Sequence, residues 1–99
     1  MGYQVALSPK ARRDLRDIVR YISADSPERA VAFGQFLLTH AKKVGEFPQM
    51  GRMVPELGEP TIREIVVRSY RVIYRVDDGD CRIEIARFWH GARGTPEVG

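Results

Sequence analysis

Residues 70–89, YRVIYRVDDGDCRIEIARFW, decide the fold because they have the pattern of a β-hairpin. Every second side chain from Tyr70 to Val76 is uncharged, which is the period of a strand with two different faces, and Arg82 to Trp89 is predicted to be its partner strand. The intervening Asp77-Asp78-Gly79-Asp80 is rich in residues that accommodate a tight hairpin turn. The C-terminal third of the chain is therefore predicted to be antiparallel sheet.

The first strand of this hairpin assigns the faces of the sheet. Every second residue from Tyr70 to Val76 is uncharged, and this side is predicted to face a core. The alternate residues Arg71, Ile73 and Arg75 form a side that is predicted to be open to solvent. One face of the sheet is thus expected to be covered and the other free.

The rest of the chain is placed outward from this hairpin. Ile62 to Val67 is predicted to be a further strand, and Gln49 to Pro60 is predicted to be a loop because it contains several Pro and Gly residues. Tyr3 to Leu7 alternates like a short first strand. The tail from Gly91 to Pro96 is expected to be irregular.

Two Ser-Pro pairs indicate two helices, because Ser caps free amides and Pro suits the first helical position. The first helix begins at Ser8-Pro9, and its apolar residues follow helical spacing as far as Ile22. The second begins at Ser26-Pro27 and runs to about Val44. Within it, Gly34 is expected to permit a close approach of the first helix.

The order β-α-α-β-β-β predicts an α+β fold, in which a helical hairpin packs on one face of a mostly antiparallel sheet. Residues 1–99 are expected to form a single domain. The chain lacks both the roughly 18-residue apolar run of a membrane span and the pattern of a signal peptide. With the single Cys81, which cannot form an internal disulfide, this favours a cytoplasmic protein without membrane association.

Arginine dominates the positive charge of the chain. The formal net charge is +3, and 13 of the 16 basic residues are Arg. Arg binds phosphate or carboxylate through a planar fork, so a polyanionic target or an acidic partner would suit this composition. Asp14 and Asp17 are expected to pair with some of the arginines on the first helix.

The candidate functional residues lie on or beside the C-terminal sheet, and they have both a chemical and a structural interpretation. The set is Arg63, Arg71, Arg75, Arg87, His90 and Arg93. These cations could bind phosphates while His90 acts as a general acid or base. Alternatively, this face of the sheet carries solvated charge pairs, such as Arg63 or Arg82 with Glu84. In that interpretation, His90 is a strand-end residue that hydrogen-bonds to backbone, and Trp89 is a core or rim aromatic residue. His40, His90 and Cys81 have no metal-ligand spacing, so neither a metal nor a cofactor is expected.

Four short motifs occur in order along the chain: LSPKARRDL (7–15), FPQMGR (47–52), REIVV (63–67) followed by YRVIYRV (70–76), and IEI (83–85) leading to HGAR (90–93). Together they resemble the RelE/ParE superfamily of bacterial toxins. The resemblance implies a small toxin encoded beside its antitoxin in a type II system. RelE-like members cleave ribosome-bound mRNA without a metal, by attack of a 2′-hydroxyl on the adjacent phosphate, whereas ParE-like members act on DNA gyrase.

The resemblance also implies roles for individual residues. In a nuclease, Arg71 would bind phosphate, and His90 and Arg93 would belong to the catalytic region. Arg63, Arg75 and Arg87 are expected to contact the target. However, residues 61–69 lack the lysines that usually precede the phosphate-binding Arg, and no Tyr follows His90. The chain therefore looks more like a ParE-like gyrase inhibitor, with a RelE-like mRNA endonuclease as the alternative and a non-toxic antitoxin-binding remnant as a third.

All three interpretations share one partner, a cognate antitoxin that is acidic, disordered when free and folded on binding. It is expected to lay an amphipathic helix beside the helical hairpin, at Leu15, Val19, Phe33 and Leu37, and a strand of it could extend the sheet. Operator DNA is expected to be bound only through the antitoxin.

Overall fold

The computed structural model describes residues 2–98 and contains two helices and five strands in this range. The helices are α1 (Pro9–Ser23) and α2 (Pro27–Lys43). The strands are β1 (Gln4–Leu7), β2 (Arg52–Met53), β3 (Ile62–Val67), β4 (Tyr70–Asp77) and β5 (Arg82–His90). A single 3-10 turn, Gly91–Arg93, follows β5.

Both helices begin at the predicted Ser-Pro pairs. The Ser8 hydroxyl accepts a hydrogen bond from the Ala11 amide at 3.0 Å, and Ser26 accepts one from the Arg29 amide at 3.3 Å. At the contact between the helices, a Cβ added to Gly34 would lie 3.0 Å from Val19 Cγ2. The prediction that Gly34 permits a close approach of α1 is confirmed.

The five strands form one sheet in the order β1-β5-β4-β3-β2, so the predicted α+β architecture is confirmed. β1 runs parallel to β5, while the other neighbouring pairs are antiparallel. The strand β2 was not predicted. It lies within the segment assigned to a loop, where Arg52 pairs with Glu64 and Met53 with Arg63. A strand of two residues is too short to show a period in the sequence.

The helical hairpin covers one face of the sheet, as the alternation of β4 indicated. Val72 and Tyr74 have no exposed surface on this face, and Val76 is 8% exposed. Their partners in the core come from both helices and from β5, and include Leu37 of α2 and Ile85 of β5. We call this side the helical face.

The prediction that the opposite face is open is wrong. Ile73 has no exposed surface and lies in a second apolar cluster. Its members are Val54, Ile62, Ile73, Ala86, Trp89 and Val98. Val54 comes from the loop after β2 and Val98 from the C-terminal tail, so two irregular segments cover the centre of this face. Neither segment has a period that could have shown its position. We call this side the tail face.

Candidate functional site

Arg71 lies on the tail face and is bound by two carboxylates. Its Nε donates to Glu64 Oε1 at 2.5 Å, and its Nη1 and Nη2 donate to the two oxygens of Glu56 at 2.9 and 2.7 Å. The hydrogen bond from Arg71 lowers the pKa of Glu56 from 4.5 to about 2, and the bonds to Glu56 and Glu64 raise the pKa of Arg71. Each of the three guanidinium nitrogens of Arg71, which could otherwise bind a phosphate, therefore already donates to a carboxylate within the chain.

Glu64 connects Arg71 to a second arginine. Its side chain is fully buried, and its Oε2 accepts a hydrogen bond from Arg52 Nε at 2.8 Å. The Arg52 side chain is 63% exposed. Arg52, Glu56, Glu64 and Arg71 thus form a cluster with no net formal charge. Of these four residues, the sequence analysis identified only Arg71. The signal for Glu64 was an acidic residue two positions after Ile62, and therefore on the same face of β3.

Arg87 is a buried cation that joins the sheet to α1. Its Nε and Nη2 donate to the Asp14 carboxylate at 2.8 and 2.9 Å, and its Nη1 donates to the Glu97 carbonyl at 2.8 Å. The hydrogen bond with Asp14 raises the pKa of Arg87. For Asp14, the expectation of a partner on its own helix is wrong, because the carboxylate points across the α1–β5 interface instead.

Arg75 and Arg63 also have partners within the chain. Arg75 donates to Glu84 at 3.3 Å and to the Val98 carbonyl at 3.1 Å. Arg63 donates to the Gly51 carbonyl at 2.8 Å. Glu84 therefore pairs with Arg75, its direct cross-strand neighbour, and not with Arg63 or Arg82 as suggested from the sequence.

His90 and Arg93 lie at the end of β5 in different contacts. His90 Nδ1 accepts a hydrogen bond from the Ala92 amide at 3.1 Å, and its ring meets Tyr70 edge-on at 5.1 Å. The Arg93 guanidinium lies over the Trp89 ring, 4.0 Å from its centroid. Trp89 is only 3% exposed and donates to the Gly94 carbonyl, so the interpretation of Trp89 as a core aromatic residue is confirmed.

The sheet separates the residues proposed for phosphate chemistry. Tyr70 pairs across the strands with His90, and Arg71 pairs with Trp89. Because neighbouring side chains of a strand point to opposite faces, His90 lies on the helical face and Arg71 on the tail face. A shallow concavity of about 200 Å³ brings His90 and Arg93 together with Asp17, but Arg71 does not line it.

The four residues predicted to contact the antitoxin differ in how deeply they are buried. Leu15, Val19 and Phe33 are half-buried, so part of each side chain is available. Leu37 has no exposed surface and belongs to the main core, which corrects its assignment as a contact residue.

A groove lies between α2 and the turn that joins β3 to β4. It has a volume of about 470 Å³. Its lining residues are Ile22, Arg29, Ala32, Phe33, Phe36 and Arg68.

Two other kinds of feature are absent within residues 2–98. No three His, Cys, Asp or Glu side chains are grouped so that they could hold a metal ion. Over the same range, neither helix combines the length and the hydrophobicity that crossing a membrane requires.

Over most of its length the chain is similar to a known protein family. A family model described as the ParE toxin of the type II toxin–antitoxin system parDE matches residues 5–94. Two curated proteins of Caulobacter vibrioides are also similar. Toxin RelE2 is 37% identical over 91 residues, covering 91% of this chain and 97% of that protein. Toxin RelE1 is 28% identical over 95 residues, covering 92% and 96%.

Solved structures agree with the fold. A chain of the chromosomal ParDE toxin–antitoxin system from P. aeruginosa aligns with a TM-score of 0.73 at 22% identity, covering 89% of this chain and 95% of that one. A chain of the toxin–antitoxin complex RelBE2 from Mycobacterium tuberculosis aligns with a TM-score of 0.65, also at 22% identity, covering 91% and 92%. At this identity, the likeness establishes the architecture alone.

Proposed function

The chain belongs to the family of ParE toxins of type II toxin–antitoxin systems, and from that premise we propose that it inhibits growth by binding DNA gyrase. In this proposal the toxin is a binding protein and cuts no bond itself. It acts in the cytoplasm, needs no metal or cofactor, and is neutralised by a cognate antitoxin.

The separation of Arg71 from His90 is the observation that carries this proposal. A nuclease needs its phosphate-binding cation and its proton-transfer group within reach of one phosphodiester. Here the two side chains lie on opposite faces of the sheet. The guanidinium of Arg71 is in addition occupied by Glu56 and Glu64, so a phosphate would have to displace a carboxylate before it could bind.

The predicted target contacts differ in how accessible they are. The Arg75 side chain is 42% exposed, and its ion pair with Glu84 is at the surface, so Arg75 can exchange this partner for a target carboxylate. Arg63 is half-buried. Arg87 is only 9% exposed, which supports a structural role in the α1–β5 contact more than a direct contact with gyrase.

A second function, the ribosome-dependent cleavage of mRNA, is favoured by the names of the two relatives. Both are called RelE, and one shares 37% identity over nearly the whole chain. In this alternative, Arg71, His90 and Arg93 are the catalytic residues. The Glu56 contact would have to open on the ribosome for Arg71 to reach the scissile phosphate.

The antitoxin partner follows from the toxin–antitoxin family. We propose that it is acidic and disordered when free, and that it folds on this chain, because the toxin is basic and its helical hairpin retains half-buried apolar side chains at Leu15, Val19 and Phe33. In this proposal the toxin binds operator DNA only through the antitoxin, and it does not associate with a membrane.

Two assays run on one preparation test the target. Purified toxin is added to a gyrase supercoiling reaction and to ribosomes programmed with mRNA. The proposal predicts inhibited supercoiling and intact mRNA, with His90→Gln as active as the wild type, because His90 has no catalytic role in a gyrase inhibitor. Cleaved mRNA that depends on His90, together with unaffected supercoiling, would establish the nuclease instead. Harmless expression and inactivity in both assays would leave a protein that only binds its antitoxin.

A further inference from the structure

The solvent-exposed side of α1 carries a continuous stripe of arginines. With about 100° of rotation per residue, four exposed side chains fall within one sector about 100° wide. These residues are Arg12, Arg13, Arg16 and Arg20, and we call them the α1 arginine stripe. The four positive charges exceed the net charge of +3 of the whole chain, so the remainder of the chain is close to neutral.

None of the stripe arginines is neutralised within residues 2–98. The arginines that have a carboxylate partner in this range lie on the sheet, and they are Arg52, Arg71, Arg75 and Arg87. Asp17 lies next to the stripe on α1, but in the same range it forms no ion pair with Arg13 or Arg20. The pairing expected for Asp17 is therefore not formed, and the stripe keeps its full charge.

The stripe works against the stability of its own helix. Arg12 and Arg16 are four residues apart, as are Arg16 and Arg20. Like charges at this spacing repel each other on the helix surface and lower its stability. A solvated helix face gains stability when such positions alternate in sign, so helix formation does not explain four unpaired arginines.

The position of the stripe along α1 is also unfavourable for the helix dipole. The first turn of α1 contains no acidic residue, and Arg12 and Arg13 follow that turn directly. In contrast, α2 has Glu28 in its first turn and Lys42 and Lys43 in its last. The charges of α2 thus stabilise their helix, whereas those of α1 add to the positive end of the dipole and strengthen its attraction for anions.

The surroundings of the stripe favour a polyanion over a protein surface. Tyr21 is the large hydrophobic residue of α1 that is exposed, at 83%, and it lies about 140° around the helix from Arg16. The stripe thus lacks the apolar centre that a protein interface requires. From Arg12 to Arg20 it extends about 12 Å along the helix. Duplex DNA presents about seven phosphate charges over this length.

We propose that the α1 arginine stripe binds the phosphate backbone of duplex DNA without reading its sequence. The choice of DNA over another polyanion rests on the gyrase target proposed above, because gyrase acts on DNA. The stripe would then contact the DNA that the enzyme holds, in addition to the contact of the toxin with gyrase itself. Recognition of the operator sequence stays with the antitoxin, since backbone contacts carry no sequence information.

Binding of a fluorescent DNA duplex, measured by anisotropy at several salt concentrations, tests this inference. The toxin should bind at low salt, and two duplexes of unrelated sequence should give the same Kd. The logarithm of the Kd should rise with the logarithm of the salt concentration with a slope of about 3 to 4, since each phosphate contact contributes about 0.9. Arg16→Gln/Arg20→Gln should lower this slope by about 2 and raise the Kd at low salt about tenfold.

Two measurements separate this effect from loss of folding and from a change in overall charge. Arg16→Gln/Arg20→Gln should unfold in urea at the wild-type midpoint or above it, because Gln suits a helix about as well as Arg and the repulsion is removed. Arg68→Gln/Arg82→Gln is the matched control, since it removes the same charge from two exposed arginines outside α1. Its slope and its Kd should stay close to those of the wild type.

The outcomes distinguish this inference from the proposed function. Inhibited supercoiling by a toxin that binds no DNA duplex would support the gyrase target and overturn the role of the stripe. Binding through the stripe with unaffected supercoiling would support the stripe and overturn the gyrase target. Equal changes of slope in the two double variants would show that net charge controls binding, and they would overturn the inference. A duplex RNA bound about tenfold more tightly than DNA would overturn the assignment to DNA.

Discussion

Asp14 and Arg87 join α1 to β5 through two parallel hydrogen bonds of 2.8 and 2.9 Å. The same carboxylate accepts the Phe88 amide at 3.0 Å, and both charged side chains are only 11–12% exposed. Asp14→Ala would leave a buried guanidinium without its counter-charge and an amide without its acceptor. We expect a loss of about 3 kcal/mol in the free energy of unfolding, measured by urea denaturation.

Glu84→Ala is the control for this prediction. It breaks the Arg75–Glu84 pair, in which the side chains are 42% and 47% exposed. An ion pair at the surface contributes about 1 kcal/mol or less, so this variant should be almost as stable as the wild type. Equal losses from the two substitutions would show that burial does not set the strength of the Asp14 contact.

A second prediction concerns the hydroxyl of Tyr74, which holds the loop before β2. It accepts a hydrogen bond from the Gly51 amide and donates one to the Pro48 carbonyl, both at 2.9 Å. Burial of the ring raises the pKa of this hydroxyl, so it stays protonated and able to donate. Tyr74→Phe leaves both backbone groups without a partner and should lower the free energy of unfolding by about 2 kcal/mol.

Tyr21→Phe provides the comparison, because Tyr21 is 83% exposed. Its unfolding midpoint in urea should equal that of the wild type. If Tyr74→Phe also unfolds at the wild-type midpoint, solvent satisfies Gly51 and Pro48 and the hydroxyl does not secure the loop.

The regular elements could be predicted because each has a local cause. The two Ser-Pro pairs provide caps that bond within four residues, and the alternation of β4 reflects the burial of Val72 and Tyr74. Gly34 was interpretable because a glycine within a helix lowers its stability, so a close approach of another element is the reason to expect one there. In each case the signal and the structure that it predicts lie in the same short segment.

The cover of the tail face could not be predicted, because its contacts join residues far apart in the sequence. Val98 reaches Arg75 through its carbonyl, and Glu97 reaches Arg87 in the same way. A backbone carbonyl carries no sequence signal. The sequence therefore predicts an irregular tail and an Ile73 that is exposed on an open face, whereas Ile73 has no exposed surface.

The candidate site was only partly predictable for a related reason. Arg71 could be selected from its motif, but its partners Glu56 and Glu64 lie in a loop and on a neighbouring strand. The sequence did place Arg71 on a strand and His90 beside the end of the next one, yet their relative faces depend on the register, which pairs Tyr70 with His90. Register is fixed by the turn and by packing, neither of which the motif contains.

A third prediction concerns the two helix caps, which differ in burial. Ser8 is 9% exposed, and its hydroxyl both accepts the Ala11 amide and donates to the Ala86 carbonyl at 2.9 Å. Ser8→Ala removes a cap and a bond to β5, so it should cost about 2 kcal/mol. Ser26→Ala removes only the 3.3 Å bond to the Arg29 amide and should cost about 1 kcal/mol or less. Urea denaturation of both variants checks the order, and a larger loss for Ser26→Ala would contradict the role of the Ala86 bond.

The last prediction is that Glu56 makes the stability of the protein depend on pH in the acidic range. The hydrogen bond from Arg71 lowers its pKa to about 2 in the folded chain, against 4.5 for an unperturbed Glu. The unfolded chain therefore binds this proton more readily than the folded chain between these values. The stabilisation from the ion pair should be complete above about pH 4.5 and should disappear as the pH falls towards 2.

Glu56→Gln tests this dependence directly, since the amide keeps the shape of the side chain and does not titrate. Urea denaturation from pH 6 down to about pH 2 gives the free energy of unfolding of the wild type and of the variant at each pH. The two free energies should differ most at pH 6 and converge at the acidic end. Glu59→Gln is the control, because it removes an exposed carboxylate of the same loop that has no arginine partner among the described residues. Its free energy of unfolding should depend on pH in the same way as that of the wild type. If the free energy of unfolding of Glu56→Gln has the same pH dependence as that of the wild type, the contact between Glu56 and Arg71 does not persist in solution, and Nη1 and Nη2 of Arg71 are then available to bind a phosphate while Nε still donates to Glu64.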